Sequence, residues 1–229
     1  MSDAVDARAT ARRQAALIAN LRRRSRPDAG VGGAAPAGGG PVELCDLCGK
    51  ELDREHRHLL HLVDRRILCA CESCVALRGG DPELRPTGTR TLWFDDFDLP
   101  DEVWAALDVP IGVAFFIDSS ATGGVVALYP SPAGATESEV PAATWRDLRA
   151  ANPVLMGLEA DAEALLVNRI ADPPQYAIAP IDECYRLVGL IKLNWDGIAG
   201  GEGPERAVGG FFAALRERAG GRNDPLETA

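Results

Sequence analysis

The sequence predicts an α+β protein with an antiparallel sheet. GVAFFID at residues 112–118 and GVVALYP at residues 124–130 are both β-rich, and because only SSATG separates them, they are predicted to form a hairpin. Across residues 86–220, strand-like and helix-like segments follow one another irregularly, without the regular alternation of a parallel α/β sheet. We therefore predict an α+β globular domain over residues 86–220, preceded by a small cysteine-rich module.

Each further element of this domain has a local signal. The helix at residues 144–152 stops before Pro153, because the residue before a proline avoids helical geometry. The predicted elements besides the hairpin are strands at 89–94, 162–170 and 175–179, and helices at 101–108, 144–152, 180–195 and 205–219. The segment YPSPAGATES at 129–138, rich in proline and small residues, is predicted to be a long loop that forms a recognition surface.

The composition is that of a globular protein with an acidic surface. Hydrophobic residues make up 46% of the chain and charged residues 25%, and the net charge is −10. No run approaches the roughly 18 apolar residues of a membrane span, and the N-terminus lacks the apolar segment of a secretory signal. We therefore expect a cytoplasmic protein without a membrane span, in which clustered cysteines bind metal more often than they form disulfides.

The two ends of the chain differ from its middle. Residues 1–27 carry seven arginines and two aspartates, a net charge of +5, which leaves −15 for the rest. The apolar positions of the helical pattern at 5–24 are few and small, so residues 1–41 are predicted to be a disordered or marginally helical arm with a Gly/Ala/Pro linker. A helix that docks on an acidic surface is the alternative. Residues 221–229 are predicted to be a flexible tail.

The stretch CDLCGKELDREHRHLLHLVDRRILCACESC, residues 45–74, holds five of the six cysteines and all three histidines. Its two CxxC pairs are separated by 22 residues that can form a hairpin reversing at 63–66. Two such pairs around a hairpin are typical of a zinc ribbon, in which four thiolates close a tetrahedral site. We therefore predict a zinc-ribbon-like module over residues 42–80. Its predicted metal ligands are Cys45, Cys48, Cys71 and Cys74.

Two alternatives to this ligand set stay open. Cys69 lies two residues before Cys71, so it could replace a member of the second pair or remain an unligated thiol. His56, His58 or His61 could complete a Cys₃His site, although they are more simply surface residues or hydrogen-bond donors to the thiolates.

Zinc is the predicted metal, and iron is the alternative. Rubredoxin-like iron sites also use two CxxC pairs, but aromatic residues usually surround them. Residues 41–80 contain no Phe, Tyr or Trp, and Val75 stands where a rubredoxin-like site would repeat the Cys-Gly sequence.

Several segments resemble a known family. They are CDLCG…EHRHLL…LCACESC, AFFIDSSATGGVVALYPSPAGATES, EALLVNR and IDECYRLVGLIKLNW. Over about residues 42–215 the chain resembles an uncharacterised family of bacterial proteins, mainly actinobacterial, that are encoded within nickel–iron hydrogenase gene clusters. The resemblance implies a connection with that hydrogenase, and it carries over no established activity.

We therefore expect a metal-binding accessory or assembly protein for a nickel–iron hydrogenase that binds a protein partner, a hydrogenase subunit being the candidate. Catalysis is not expected, because the globular domain has no histidine to activate Cys184, which is predicted to be a buried thiol, or a serine. One alternative is a small rubredoxin-like iron protein that transfers electrons. The other is a zinc-ribbon regulator associated with nucleic acid, which the acidic charge outside the arm disfavours.

Overall fold

The computed structural model of the protein describes residues 42–131, 134–194 and 202–220. These residues belong to one compact unit that begins at Val42. The predicted arm and linker at residues 1–41 and the predicted tail at residues 221–229 lie outside the described residues.

The cysteine-rich module is built on a small antiparallel sheet. Strand β1 (Arg57–His61) and strand β2 (Arg66–Ala70) form the hairpin that the sequence predicts. Strand β3 (Leu84–Pro86), which was not predicted, pairs with the other side of β1, so the strand order is β2-β1-β3. Helix α1 (Glu72–Arg78) follows β2 almost directly.

The two faces of strand β1 contact different parts of the protein, because successive side chains of a strand point to opposite faces. Leu59 packs with Leu68 and Leu84 in the core of the module. Its neighbour Leu60 belongs instead to the core cluster that contains Phe115 of the larger domain. One face of the small sheet therefore packs on the larger domain.

The larger domain contains an antiparallel sheet that has six strands within the described residues. These are β4 (Leu92–Phe94), β5 (Val113–Ser119), β6 (Gly124–Ser131), β7 (Gly134–Glu139), β8 (Glu163–Asn168) and β9 (Gln175–Pro180). Their order is β4-β9-β8-β5-β6-β7, and every adjacent pair is antiparallel. The predicted α+β class with an antiparallel sheet is confirmed, and so is the hairpin of β5 and β6.

Helices cover both faces of this sheet. They are α2 (Asp101–Ala106), α3 (Ala142–Ala151), a 3₁₀ helix (Pro153–Gly157), α4 (Ile181–Leu193) and α5 (Gly203–Gly220). Phe115 of β5 is buried with Leu187 of α4 and Phe212 of α5, whereas the adjacent Phe116 is buried with Trp145 and Leu148 of α3 on the opposite face. The alternation of β5 thus supplies one large apolar side chain to each layer of helices.

The prediction of a long loop at residues 129–138 was wrong. Strand β6 continues to Ser131, and β7 begins at Gly134, with these two residues paired. Pro130 does not interrupt the sheet because it lies beyond the part of β6 that pairs with β5, so its missing N–H removes no bond to that strand.

Candidate metal centre

The first CxxC pair lies on a tight turn. The Cys45 N–H donates to the Lys50 carbonyl at 2.8 Å, and the Gly49 N–H donates to the Cys45 carbonyl at 2.8 Å. Gly49 has a φ of +76°, in the left-handed region that favours glycine, and a Cβ at this position would contact nothing within 4 Å. The glycine is therefore required by the backbone conformation of the turn and not by crowding.

The second CxxC pair lies at the start of a helix and not on a tight turn like that of the first pair. Cys71 is the N-cap residue of α1 and has an extended backbone, with φ −74° and ψ 155°. Cys74 lies in the first turn of that helix. Because residues three apart in a helix share a face, this turn presents the two sulfurs together.

The four predicted cysteines converge, with their sulfur atoms all within 4.8 Å of one another. The sulfurs of Cys48 and Cys71 are 3.8 Å apart. Four thiolates at zinc–sulfur bonds of about 2.3 Å would place their sulfurs about 3.8 Å from one another in a tetrahedron. These cysteines could therefore hold a tetrahedral metal ion with little movement.

Two thiols of the cluster have pKa values that are shifted in opposite directions. Burial opposes the ionisation of Cys45, but the backbone N–H groups of Cys71, Leu47 and Cys48 hydrogen-bond to its sulfur and lower the pKa of that thiol to about 6. The distance from the Cys71 nitrogen to the Cys45 sulfur is 3.4 Å. A hydrogen bond to Cys48 raises the pKa of Cys74 to about 12, and burial is the second largest cause of this increase. One thiolate forms readily and another resists ionisation beside it. A bound Zn²⁺ would favour the thiolate form of all four cysteines by offsetting two of their four negative charges.

The remaining candidate ligands lie elsewhere. Cys69 groups with His56 and His58, with one ligand atom from each within 4.8 Å of the others, and this set shares no residue with the four-cysteine cluster. His61 belongs to neither set, and its Nδ1 lies 3.6 Å from Oδ2 of Asp64.

One residue of this second cluster has a partner that the sequence did not reveal. Nδ1 of His58 lies 3.0 Å from Oδ2 of Asp182, in the first turn of α4. The hydrogen bond to this carboxylate raises the pKa of His58 above its ordinary value. Asp182 is separated from His58 by most of the chain, and an acidic residue at a helix start is ordinary, so no local pattern could have indicated the contact.

Cys184 is buried, as predicted. Its side chain is 0% exposed, and its sulfur lies 3.7 Å from the carbonyl oxygen of Pro180. Burial raises the pKa of this thiol well above its ordinary value, which disfavours the reactive thiolate. No helix among the described residues is long and apolar enough to span a membrane.

The fold and the cysteine cluster together define a class, an α+β protein with a candidate metal centre on a small accessory sheet. The chain matches the family of unknown function (DUF5947) over residues 44–219, and it belongs to that family. No curated protein matches the chain, and no solved structure matches it either.

Proposed function

We propose that this chain is a zinc-binding accessory or assembly protein for a nickel–iron hydrogenase and that it acts by binding a protein partner. The observation that carries the metal-binding part is the convergence of four cysteine sulfurs within 4.8 Å. Four thiolates complete a tetrahedral coordination sphere and leave no position for a substrate. The ion would therefore hold the turn at residues 45–48 against helix α1. The absence of aromatic residues from positions 41–80 favours zinc over iron.

Exposed apolar side chains beside the cluster support the binding part of the proposal. Leu44 directly precedes Cys45 and is 53% exposed, and Leu77 follows Cys74 by three residues and is 82% exposed. Val42 is exposed as well. Apolar side chains exposed next to the four-cysteine cluster would offer a contact surface for another protein. The identity of that partner rests on the resemblance of residues 42–215 to proteins encoded with nickel–iron hydrogenases.

The proposal is tested by complementing a deletion strain of a host that carries both genes. The tagged wild-type chain should restore hydrogenase activity and should co-purify with a hydrogenase component. Cys74→Ser should lose both the metal and the partner. Leu77→Asp should keep the metal and lose the partner, because it changes only the exposed surface. Ser73→Ala, an exposed position between two of the cysteines, is the matched control and should behave as the wild type.

Two results would contradict the proposal. Normal hydrogenase activity in the deletion strain, with no co-purifying hydrogenase component, would contradict a hydrogenase component as the binding partner. A red, iron-containing preparation would show that the bound metal is iron and not zinc, and would favour a role in electron transfer.

A further inference from the structure

We propose that His56, His58 and Cys69 form a second metal site, separate from the four-cysteine cluster and open at one coordination position. His58 and Cys69 are cross-strand partners on β1 and β2, and His56 directly precedes β1. One ring nitrogen of each histidine and the Cys69 sulfur all lie within 4.8 Å of one another. Tetrahedral bonds of about 2.0–2.3 Å need ligand atoms about 3.3–3.8 Å apart, so small side-chain adjustments would suffice.

The strand register explains why these three side chains meet. His56, His58 and Leu60 alternate along the chain, so they point to one face of the small sheet, the face that packs on the larger domain. Cys69 is paired with His58 and shares that face, whereas its neighbours Leu68 and Ala70 point into the module core. The site therefore lies between the small sheet and the larger domain.

The hydrogen bonding of His56 leaves one ring nitrogen free to bind a metal ion. Its Nδ1 lies 2.9 Å from the Asp53 carbonyl oxygen, and since a carbonyl can only accept, Nδ1 carries the proton. Nε2 then holds the free lone pair. The side chain is 7% exposed, and among the described residues its buried Nε2 has no hydrogen-bond partner. A buried acceptor without a partner is costly, and coordination of a metal ion would satisfy it.

His58 has the same arrangement. Its Nδ1 lies 3.0 Å from the Asp182 carboxylate, which leaves Nε2 as the nitrogen that can bind an ion. A carboxylate that accepts the Nδ1 hydrogen of a metal-ligating histidine is a recurrent feature of metal sites, because it fixes the tautomer and makes the ring a stronger ligand. Asp182 belongs to α4, so this hydrogen bond also joins the site to the larger domain.

The backbone of the third ligand is held firmly in place. The Cys69 N–H donates to Oδ2 of Asp46 at 2.8 Å, and the Cys69 carbonyl accepts from the Asp46 N–H at 2.9 Å. The side chain is partly buried, so the thiol is accessible to an ion. Asp46 lies on the turn of the first CxxC pair, so these two hydrogen bonds, one to its side chain and one from its backbone, connect the two clusters.

The ligand set defines the class of metal. Two imidazoles and one thiolate suit zinc and similar transition-metal ions, and they do not suit Mg²⁺ or Ca²⁺, which need oxygen ligands. Three protein ligands leave a fourth tetrahedral position for water or a small anionic ligand. The four-cysteine cluster, by contrast, would be closed once a metal is bound.

Metal content of the whole chain tests this inference. After loading with zinc and dialysis, the wild type should hold about two zinc ions per chain, and Cys69→Ser and His56→Ala should each hold about one. His61→Ala is the matched control, because it removes a histidine from the opposite face of β1, and it should keep both ions. Circular dichroism of each variant checks that the fold is retained.

A titration of the metal-free protein with Co²⁺, in the wild type and in Cys69→Ser, provides a second readout. The second equivalent should add a spectrum of mixed nitrogen and sulfur ligands to that of the four-thiolate site. Saturation at one equivalent, with a spectrum that Cys69→Ser leaves unchanged, would overturn the second site. If the wild type binds only one Co²⁺ and Cys69→Ser binds none, the result would support the site of His56, His58 and Cys69 and contradict the four-thiolate centre.

Discussion

The small sheet of β1, β2 and β3 and the six-stranded sheet are both antiparallel, but they bury very different amounts of apolar surface. Strands β5 and β8 are buried along almost their whole length, with helices against both faces of their sheet. The buried core of the small sheet consists of Leu59, Leu68, Ala70 and Leu84. A segment of about 40 residues rarely folds on so small a core without a metal or disulfides.

The comparison indicates two sources of stability in one chain. The six-stranded sheet is stabilised by burial of large side chains on both faces. The small sheet supplements its core with the cluster of Cys45, Cys48, Cys71 and Cys74, which would join the first turn to α1 through a metal ion. It also docks on the larger domain through Leu60 and the bond between His58 and Asp182. The two regions should therefore respond differently to the loss of metal and to the loss of core volume.

The largest expected effect comes from removal of a thiolate. Cys74→Ser should lose most of the metal bound at the four-cysteine cluster and destabilise the module by more than about 4 kcal/mol, because metal binding at a structural site is coupled to folding. Elemental analysis and thermal unfolding monitored by circular dichroism measure the two effects. A Cys74→Ser variant that keeps its metal and melts as the wild type does would exclude Cys74 as a ligand.

A core substitution in the larger domain should lower stability without changing the metal content. Phe116 is 0% exposed and packs on Trp145 with ring centroids 5.9 Å apart. Phe116→Ala should cost about 3–5 kcal/mol in the free energy of unfolding, measured by urea denaturation, and leave metal content unchanged. Met156→Ala, at a position that is 67% exposed, is the control and should change stability by less than about 0.5 kcal/mol. Loss of metal in Phe116→Ala would show that the two regions are not separable.

The smallest expected effect is the change in stability that accompanies ionisation of the Cys45 thiol in the metal-free protein. Burial opposes ionisation of Cys45, but backbone hydrogen bonds hold its pKa at about 6, below the ordinary 9.0. Its thiolate therefore stabilises the module fully above about pH 9, and this contribution is lost as the pH falls through about 6. Thiolate absorbance should rise with a midpoint near pH 6 and should lose that phase in Cys45→Ala. A first midpoint at pH 9 or above would contradict the hydrogen-bonded turn.

What the sequence could predict depended on whether the signal was local. The β5–β6 hairpin was predicted because both strands and their short connection are contiguous, and the CxxC spacing was enough to bring four cysteines together. Strand β3 was missed because its three residues, Leu84–Pro86, form a strand only through pairing with β1. The separation of Cys69 from the four-cysteine cluster and the contact of His58 with Asp182 depend on register and tertiary packing, which no spacing reports.

Hydrogen exchange with and without a chelator tests the central claim most directly, because it observes both sheets in the same molecule. After metal removal, the amides of β1, β2 and β3 should lose protection, while those of β5, β8 and β9 should keep it. Equal protection of the small sheet with and without metal would contradict the claim that a metal ion stabilises it. Loss of protection in both sheets together would contradict the claim that burial alone sustains the larger one.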